Sequence, residues 1–239
     1  TMQVTGNNLP QPHKSIRLSM DGLSFFQANA WKHTRFVPND LQLEQALARL
    51  LCEPALQDLH LANIEVDYPY TTLVPSQLLS NQDALSVFTF HFPETNTDKL
   101  VVCAQEIAGF NITLLFGIPQ LHYRLANQLF SHIKWSHMLL PCIQQCLKST
   151  KQKGETQAWI QAKDSYANIA VANNGNLLFS NYFPIQHPND LLYYTAKVFE
   201  QYQLSQQHTP TYLIGNQETH QLLVKHLALC QQIEDYAHC

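Results

Sequence analysis

Cys142 and Cys146 lie four residues apart with His137 just upstream, and two thiolates at that spacing can share one helical face, as zinc ligands do. No second pair at matching spacing accompanies them, so the residues point instead to buried cysteines acting as small apolar groups. His226 and Cys230 repeat the spacing and take the same reading, so no metal is expected. The twelve histidines do not resolve into a triad, no Gly-x-Ser-x-Gly elbow is present, and no cysteine carries a nucleophile motif. Hydrolytic catalysis is therefore not expected. Neither a Walker loop nor a Gly-x-Gly-x-x-Gly fingerprint occurs, and seven glycines in 239 residues leave little for a surface that cradles phosphate. The acidic pairs Asp21-Gly22 and Asp164-Ser165 remain, and each reads first as a hairpin turn chosen for its backbone.

The elements that hold these residues come in two similar runs. Pro-Asn-Asp-Leu occurs at Pro38 to Leu41 and again at Pro188 to Leu191, each time between extended residues and an amphipathic helix, which is the trace of an internal duplication. Ser15 to Ser19, Ser24 to Ala28 and Lys32 to Val37 predict three strands, with Asp21-Gly22 turning the first pair. A helix capped by Asn39 or Asp40 follows, with Leu43, Ala46, Leu47, Leu50 and Leu51 on one face and Pro54 at its end, and then a strand over Leu61 to Tyr68. The second run repeats the order with strands over Gln157 to Ala162, Ala167 to Ala172 and Leu177 to Phe183. Its helix is capped by Asn189 or Asp190, and a strand over Thr211 to Gly215 and a short helix over 218–229 complete it.

The stretch 71–109 has no counterpart in the second run and predicts an inserted subdomain. Phe88, Phe90 and Phe92 alternate there as on a strand, with core packing as their expected role. Phe110 to Phe116 predicts a strand leading into a helix with Leu121, Leu125 and Leu129. A short strand at Ile133 to Trp135 and a helix over 136–147, kinked by Pro141, then lead to the second run. The expected organisation is a polar segment 1–14, a first half 15–135 that includes the insertion, and a second half 136–239.

At 45% apolar residues the chain buries a full core without staples, and at 13% charged residues its surface is polar but weakly charged. A net charge of -4 offers no footprint for a phosphate backbone, so nucleic acid is not an expected partner. Six cysteines scattered through strands and helices predict reduced thiols and a cytoplasmic protein. No apolar stretch is long enough to span a bilayer, and Thr1 to Lys14, with Pro10 and Pro12, shows no export signal.

Three antiparallel strands, a helix, and then strands alternating with helices form a ribonuclease-H-like α/β unit, and two such units in tandem make the actin-like ATPase fold. The opening Ser15 to Phe25, the segment Leu73-Val74-Pro75 and the strand-helix block Phe110 to Phe130 resemble an uncharacterised bacterial family of unknown function with that fold, over about Lys14 to Tyr236. The order of elements is also similar to the actin-like cytoplasmic protein of type IV pilus assembly and to bacterial cell-division actins. The resemblance implies a cleft that holds ATP and Mg²⁺ between two phosphate-wrapping turns and a glycine-rich adenosine turn, where glycine admits close backbone approach and carboxylates orient the metal.

Carried onto this sequence, the cofactor-binding candidates are Asp21, Gly22 and Ser24 in the first turn, Asp164 and Ser165 in the second, and Gly215 and Asn216 in the third. The sequence departs from the family's Asp-x-Gly-x-Thr pattern, because Met20 stands where the acid belongs and Asp21 is displaced by one residue, which on a strand turns a side chain to the other face. Tyr166 stands where the second turn needs glycine, and the adenosine turn keeps one glycine instead of two. The expectation is a non-catalytic actin-like protein without a cofactor that binds another protein, by analogy a short segment of a membrane protein. The alternative is a weak ATP-binding or phosphotransfer enzyme using the cleft.

Overall fold

The structure, a computed structural model, describes residues 15–19, 22–27, 30–35, 40–51, 61–80, 83–93, 99–130 and 132–233. The expectations placed on Met20, Asp21, Pro38, Asn39 and Pro54 lie outside the described residues.

Two five-stranded sheets share one topology. The first takes β1 (Ser15–Ser19), β2 (Gly22–Gln27), β3 (Ala30–Arg35), β4 (Leu61–Asp67) and β8 (His132–His137) in the order β3-β2-β1-β4-β8. The second takes β9 (Thr156–Ala162), β10 (Tyr166–Asn173), β11 (Asn176–Pro184), β12 (Thr211–Ile214) and β13 (Cys230–Gln232) in the order β11-β10-β9-β12-β13. In each, three antiparallel strands are followed by a fourth that runs parallel to the first. The duplication legible in the repeated tetrapeptide is thus a duplication of topology.

The register makes the equivalence residue by residue. The last pair before the first hairpin is Leu18↔Leu23, and before the second it is Ala162↔Ala167, so each turn holds four residues. One step back, Arg17↔Ser24 matches Gln161↔Asn168, and the parallel neighbours Glu65 and Ile214 match in turn. Residues 19–22 therefore correspond to 163–166.

Helices cover these sheets because their apolar residues recur at helical spacing. In α1 (Asp40–Leu51), Leu43, Ala46 and Leu47 are buried while Glu44, Gln45 and Arg49 face outward. In α5 (Pro188–Gln201), Leu191, Thr195, Val198 and Phe199 are buried against Ala158, Ile160, Ala167, Ile169 and Leu213 of the sheet. The start of α5 corrects an expectation, since the cap position is His187. Asp190 sits inside the first turn, where its Oδ2 accepts from the backbone N–H groups of Gln186 and His187 at 2.8 Å each. α6 (Gln217–Leu223) is shorter than expected, which leaves His226 in a turn and Cys230 on β13. α4 (Leu139–Lys153) packs on the other face of β9 and β10. Its start at Leu139 places Pro141 in the first turn, where no intrahelical N–H is needed, so the expected cause of a kink is absent.

The insertion lies between β4 and the helix α3 (Gln120–Leu129). It contains a three-stranded sheet in the order β5-β7-β6, with β5 at Thr71–Pro75, β6 at Leu100–Ile107 and β7 at Ile112–Pro119, and the helix α2 at Ala84–His91. The helix overturns the strand expected for Val87 to Phe92. Asp83 caps it by accepting from Ser86 N at 2.8 Å and Ser86 Oγ at 2.7 Å, and Phe88 and Phe92, four residues apart, bring their rings to 4.8 Å. Phe90, between them, is thrown outward at 83% exposure.

The described residues divide into two compact units, one from those within 15–68, 99–101 and 118–136, the other from those within 69–93, 102–117 and 137–233. The insertion's sheet thus groups with the second five-stranded sheet, and β5 packs beside β11 there.

Candidate functional site

In open sheets of parallel strands, ligands gather beyond the carboxyl ends of those strands. The carboxyl ends of β9 and β12 lie side by side, because Gln161 pairs with Ile214. The structure therefore brings the turn of Asp164 and Ser165 next to Gly215 and Asn216, four of the seven candidates. A Cβ built on Gly215 would stand 3.5 Å from Ala162 O and 3.3 Å from Leu213 Cδ1, which is close but not prohibitive.

What these four groups do locally is structural. Lys163 N donates to Tyr166 O at 2.9 Å and Ile185 N donates to Ser165 O at 2.8 Å, so the turn is closed by its own backbone, and the side chains of Asp164 and Ser165 are exposed. No residue from 163 to 166 has a positive φ. Asn216 is the cap of α6, its Oδ1 accepting from Thr219 N and Thr219 Oγ1 at 2.8 Å each, and Gly215 O accepts from Gln232 Nε2 at 2.8 Å. Tyr166 stacks on Tyr182 with ring centroids 5.0 Å apart and 24° between planes.

In the first sheet the equivalent place holds Ser19, Gly22 and Ser24, while Asp21 lies outside the described residues. Ser19 Oγ donates to Gly22 O at 3.0 Å, tightening the turn from within. Ser24 is half-buried one step behind. Its cross-strand partner Arg17 donates from Nε to Glu65 Oε2 at 3.0 Å, and both members of that pair are largely buried. Asp67 stands beside Ser19 in the parallel register of β1 and β4. The next residue, Tyr68, is buried and meets Nδ1 of His122 on α3 at 2.6 Å. Burial, and then the negative charge of Asp67, holds the Tyr68 hydroxyl well above the usual tyrosine range, and the hydrogen bond it shares with His122 Nδ1 takes its direction from the imidazole tautomer.

Asp67, Tyr68, His122, Arg17, Glu65, Gln161 and Asn168 all escaped the reading of the sequence. For Gln161 and Asn168 a signal existed, since each is the polar member of an otherwise apolar run in a strand buried on both faces.

Among the described residues the thiol and imidazole groups do not gather into a centre. Cys142 and Cys146 are both buried in α4, and burial pushes the Cys146 thiol far up, with Cys142 adding to it. His137 lies on β8, where Nδ1 accepts from Leu139 N at 3.1 Å and the ring sits 5.5 Å from Phe116. Among the described residues no three His, Cys, Asp or Glu side chains are placed to hold a metal ion, and no helix is long and apolar enough to cross a membrane.

Over 96% of its length this chain is similar to a protein of Bacteroides thetaiotaomicron VPI-5482 with an actin-like ATPase fold and unknown function. The identity is 19% and the TM-score 0.73, with 94% of that chain covered. It is also similar, at 10% identity and a TM-score of 0.61, to a chain of the PilM-PilN type IV pilus biogenesis complex, over 94% of this chain and 89% of that one. No curated protein matches it. With its two sheets of one topology and these likenesses, the molecule has the actin-like ATPase fold, and the match of a family model over residues 5–229 shows that the chain belongs to DUF3822, a family of proteins of unknown function.

Proposed function

We propose that this chain is a non-catalytic actin-like protein that works in the cytoplasm by binding another protein. One observation carries the reading. Where the first hairpin places Gly22, the second places Tyr166, whose ring stacks on Tyr182 beside the turn. Glycine lets backbone amides approach a phosphate closely, and at this place the second hairpin has a tyrosine instead. The partner is inferred to be a protein segment, which is supported by the likeness to a chain of the PilM-PilN complex and by the exposed ring of Phe90 on the insertion.

The competing reading gives Asp21, Gly22, Ser24, Asp164, Ser165, Gly215 and Asn216 the work of holding ATP and Mg²⁺ for weak phosphotransfer. Calorimetric titration of the whole chain with ATP and Mg²⁺ separates the two. The expected result is no heat of binding. Micromolar affinity that disappears in Asp164→Ala would replace the proposal with its competitor.

A further inference from the structure

The turn between β10 and β11 carries the one Asn-Gly pair in the chain, Asn174-Gly175. Such a pair is prone to spontaneous deamidation, because glycine has no Cβ to hinder its own nitrogen as that nitrogen attacks the asparagine side chain. Ring closure joins Gly175 N to Asn174 Cγ, breaks the bond from Cγ to Nδ2, and passes the Gly175 amide proton to the departing nitrogen, which leaves as ammonia. Water then opens the succinimide at one of its two carbonyls. One opening leaves aspartate. The other leaves isoaspartate, whose main chain runs through the former side chain and is longer by one carbon.

The fold opposes the first step. Asn173 and Asn176 are directly paired, so the loop has two residues, and both lie in the left-handed region, with φ of 48° at Asn174 and 77° at Gly175. That is the backbone of a type I′ turn, which an Asn-Gly pair adopts with little strain. Asn174 is exposed, so solvent reaches its side chain. The nucleophile is held. Gly175 N donates to Thr150 Oγ1 at 3.1 Å, and Thr150, in the last turns of α4, is fully buried. Its hydroxyl is itself anchored, lying 2.9 Å from Cys146 O and 3.1 Å from Leu147 O, so it gives its proton to the helix and keeps a lone pair for the Gly175 N–H. A Cβ on Gly175 would stand 3.0 Å from Lys151 Cβ, so the turn lies directly against the helix. For Gly175 N to reach Asn174 Cγ, the N–H must leave Thr150 and the chain must rotate about the Asn174 Cα–C bond out of the turn. Both motions together are a local opening of the hairpin end.

We infer that Asn174 is a deamidation site gated by the contact of its turn with α4, with Thr150 as the latch. While the turn rests on the helix, Asn174 persists, and each excursion off the helix exposes it to conversion. Isoaspartate lengthens a two-residue loop whose ends are set by Asn173 and Asn176, so the old register of Gly175 on Thr150 is lost. The inference is independent of what the chain binds.

The test incubates the intact chain near neutral pH, folded and in guanidinium chloride, and follows Asn174 by peptide mapping with mass spectrometry, which separates asparagine, aspartate and isoaspartate at that position. Conversion is expected in the denaturant, and at least about tenfold slower in the folded chain, where it waits on opening of the turn. Thr150→Val, which keeps the branched shape and removes the acceptor, should convert about fivefold faster than the folded parent, the rise in open population on losing one buried hydrogen bond. Thr150→Ser, which keeps the hydroxyl, should stay close to the parent. Deuterium exchange of the Gly175 amide, read by NMR on the parent, should be slow and should rise in step with conversion as denaturant is added below the unfolding transition. That measurement decides the matter even where a variant fails to fold. No conversion at Asn174 in the denaturant, conversion as fast in the folded chain, exchange that rises without conversion, or a folded Thr150→Val no faster than Thr150→Ser would each overturn the inference.

Discussion

Single side chains in this molecule are best understood through what they are bonded to. Tyr68 lies at the exit into the insertion and His122 two residues past the return from it, so their 2.6 Å hydrogen bond ties the two ends of the inserted segment together. Because burial and Asp67 hold the Tyr68 proton in the folded state, the folded chain binds more protons than the unfolded one once free tyrosines ionise. Stability from this residue is therefore full below about pH 10 and is lost as pH rises beyond it. Urea unfolding at pH 8 and again above pH 10 should show this fall in the parent and a smaller one in Tyr68→Phe. At pH 8 that variant should lose roughly 0.5–1.5 kcal/mol with the hydroxyl. Asn216 is a second case. Its oxygen caps α6 through two bonds to Thr219, so Asn216→Ala should cost about 1 kcal/mol by denaturant unfolding, whether or not any ligand is present.

Elements follow the sequence where one period is unambiguous. The paired meanders, α1, α5 and the parallel fourth strands were all legible, because apolar residues recur there at a period of two or at helical spacing, and Asn-Gly marks a turn of the second meander. Gly175 shows why such a turn signal works, since it adopts φ of 77° after Asn174 at 48°, a conformation that the two residues tolerate well. α2 was misread because Phe88, Phe90 and Phe92 satisfy a period of two as well as the four-residue step of a helix. The capping bonds of Asp83 to Ser86 decide for the helix. That geometry separates the aromatics energetically. Phe88→Ala should cost about 3–5 kcal/mol through the cavity it leaves, whereas Phe90→Ser should change stability by no more than about 0.5 kcal/mol, as paired chemical denaturation curves would show. The candidate site was legible only as turns. Gln161 and Asn168 stayed hidden because the burial of a polar residue depends on what covers the sheet's second face, and a strand's own pattern does not reveal it.

At the level of the whole chain, the duplication is the fact that orders everything else. Two sheets with the same strand order and the same direction of their fourth strands have kept their backbone while their turn residues diverged, and fold alone carries no activity with it. Four residues separate the directly paired positions in each hairpin, Leu18↔Leu23 and Ala162↔Ala167, so residues 19–22 and 163–166 occupy equivalent places. Grafting Ser-Met-Asp-Gly in place of Lys163 to Tyr166 should yield a chain that still melts cooperatively. It would give up the Tyr166–Tyr182 stack, worth about 0.5–1.5 kcal/mol beyond its area. Such a chimera turns ancestry into a laboratory variable: nucleotide affinity that appears in it and not in the parent would be traceable to one loop, and equal behaviour of the two would show that this loop alone does not set it.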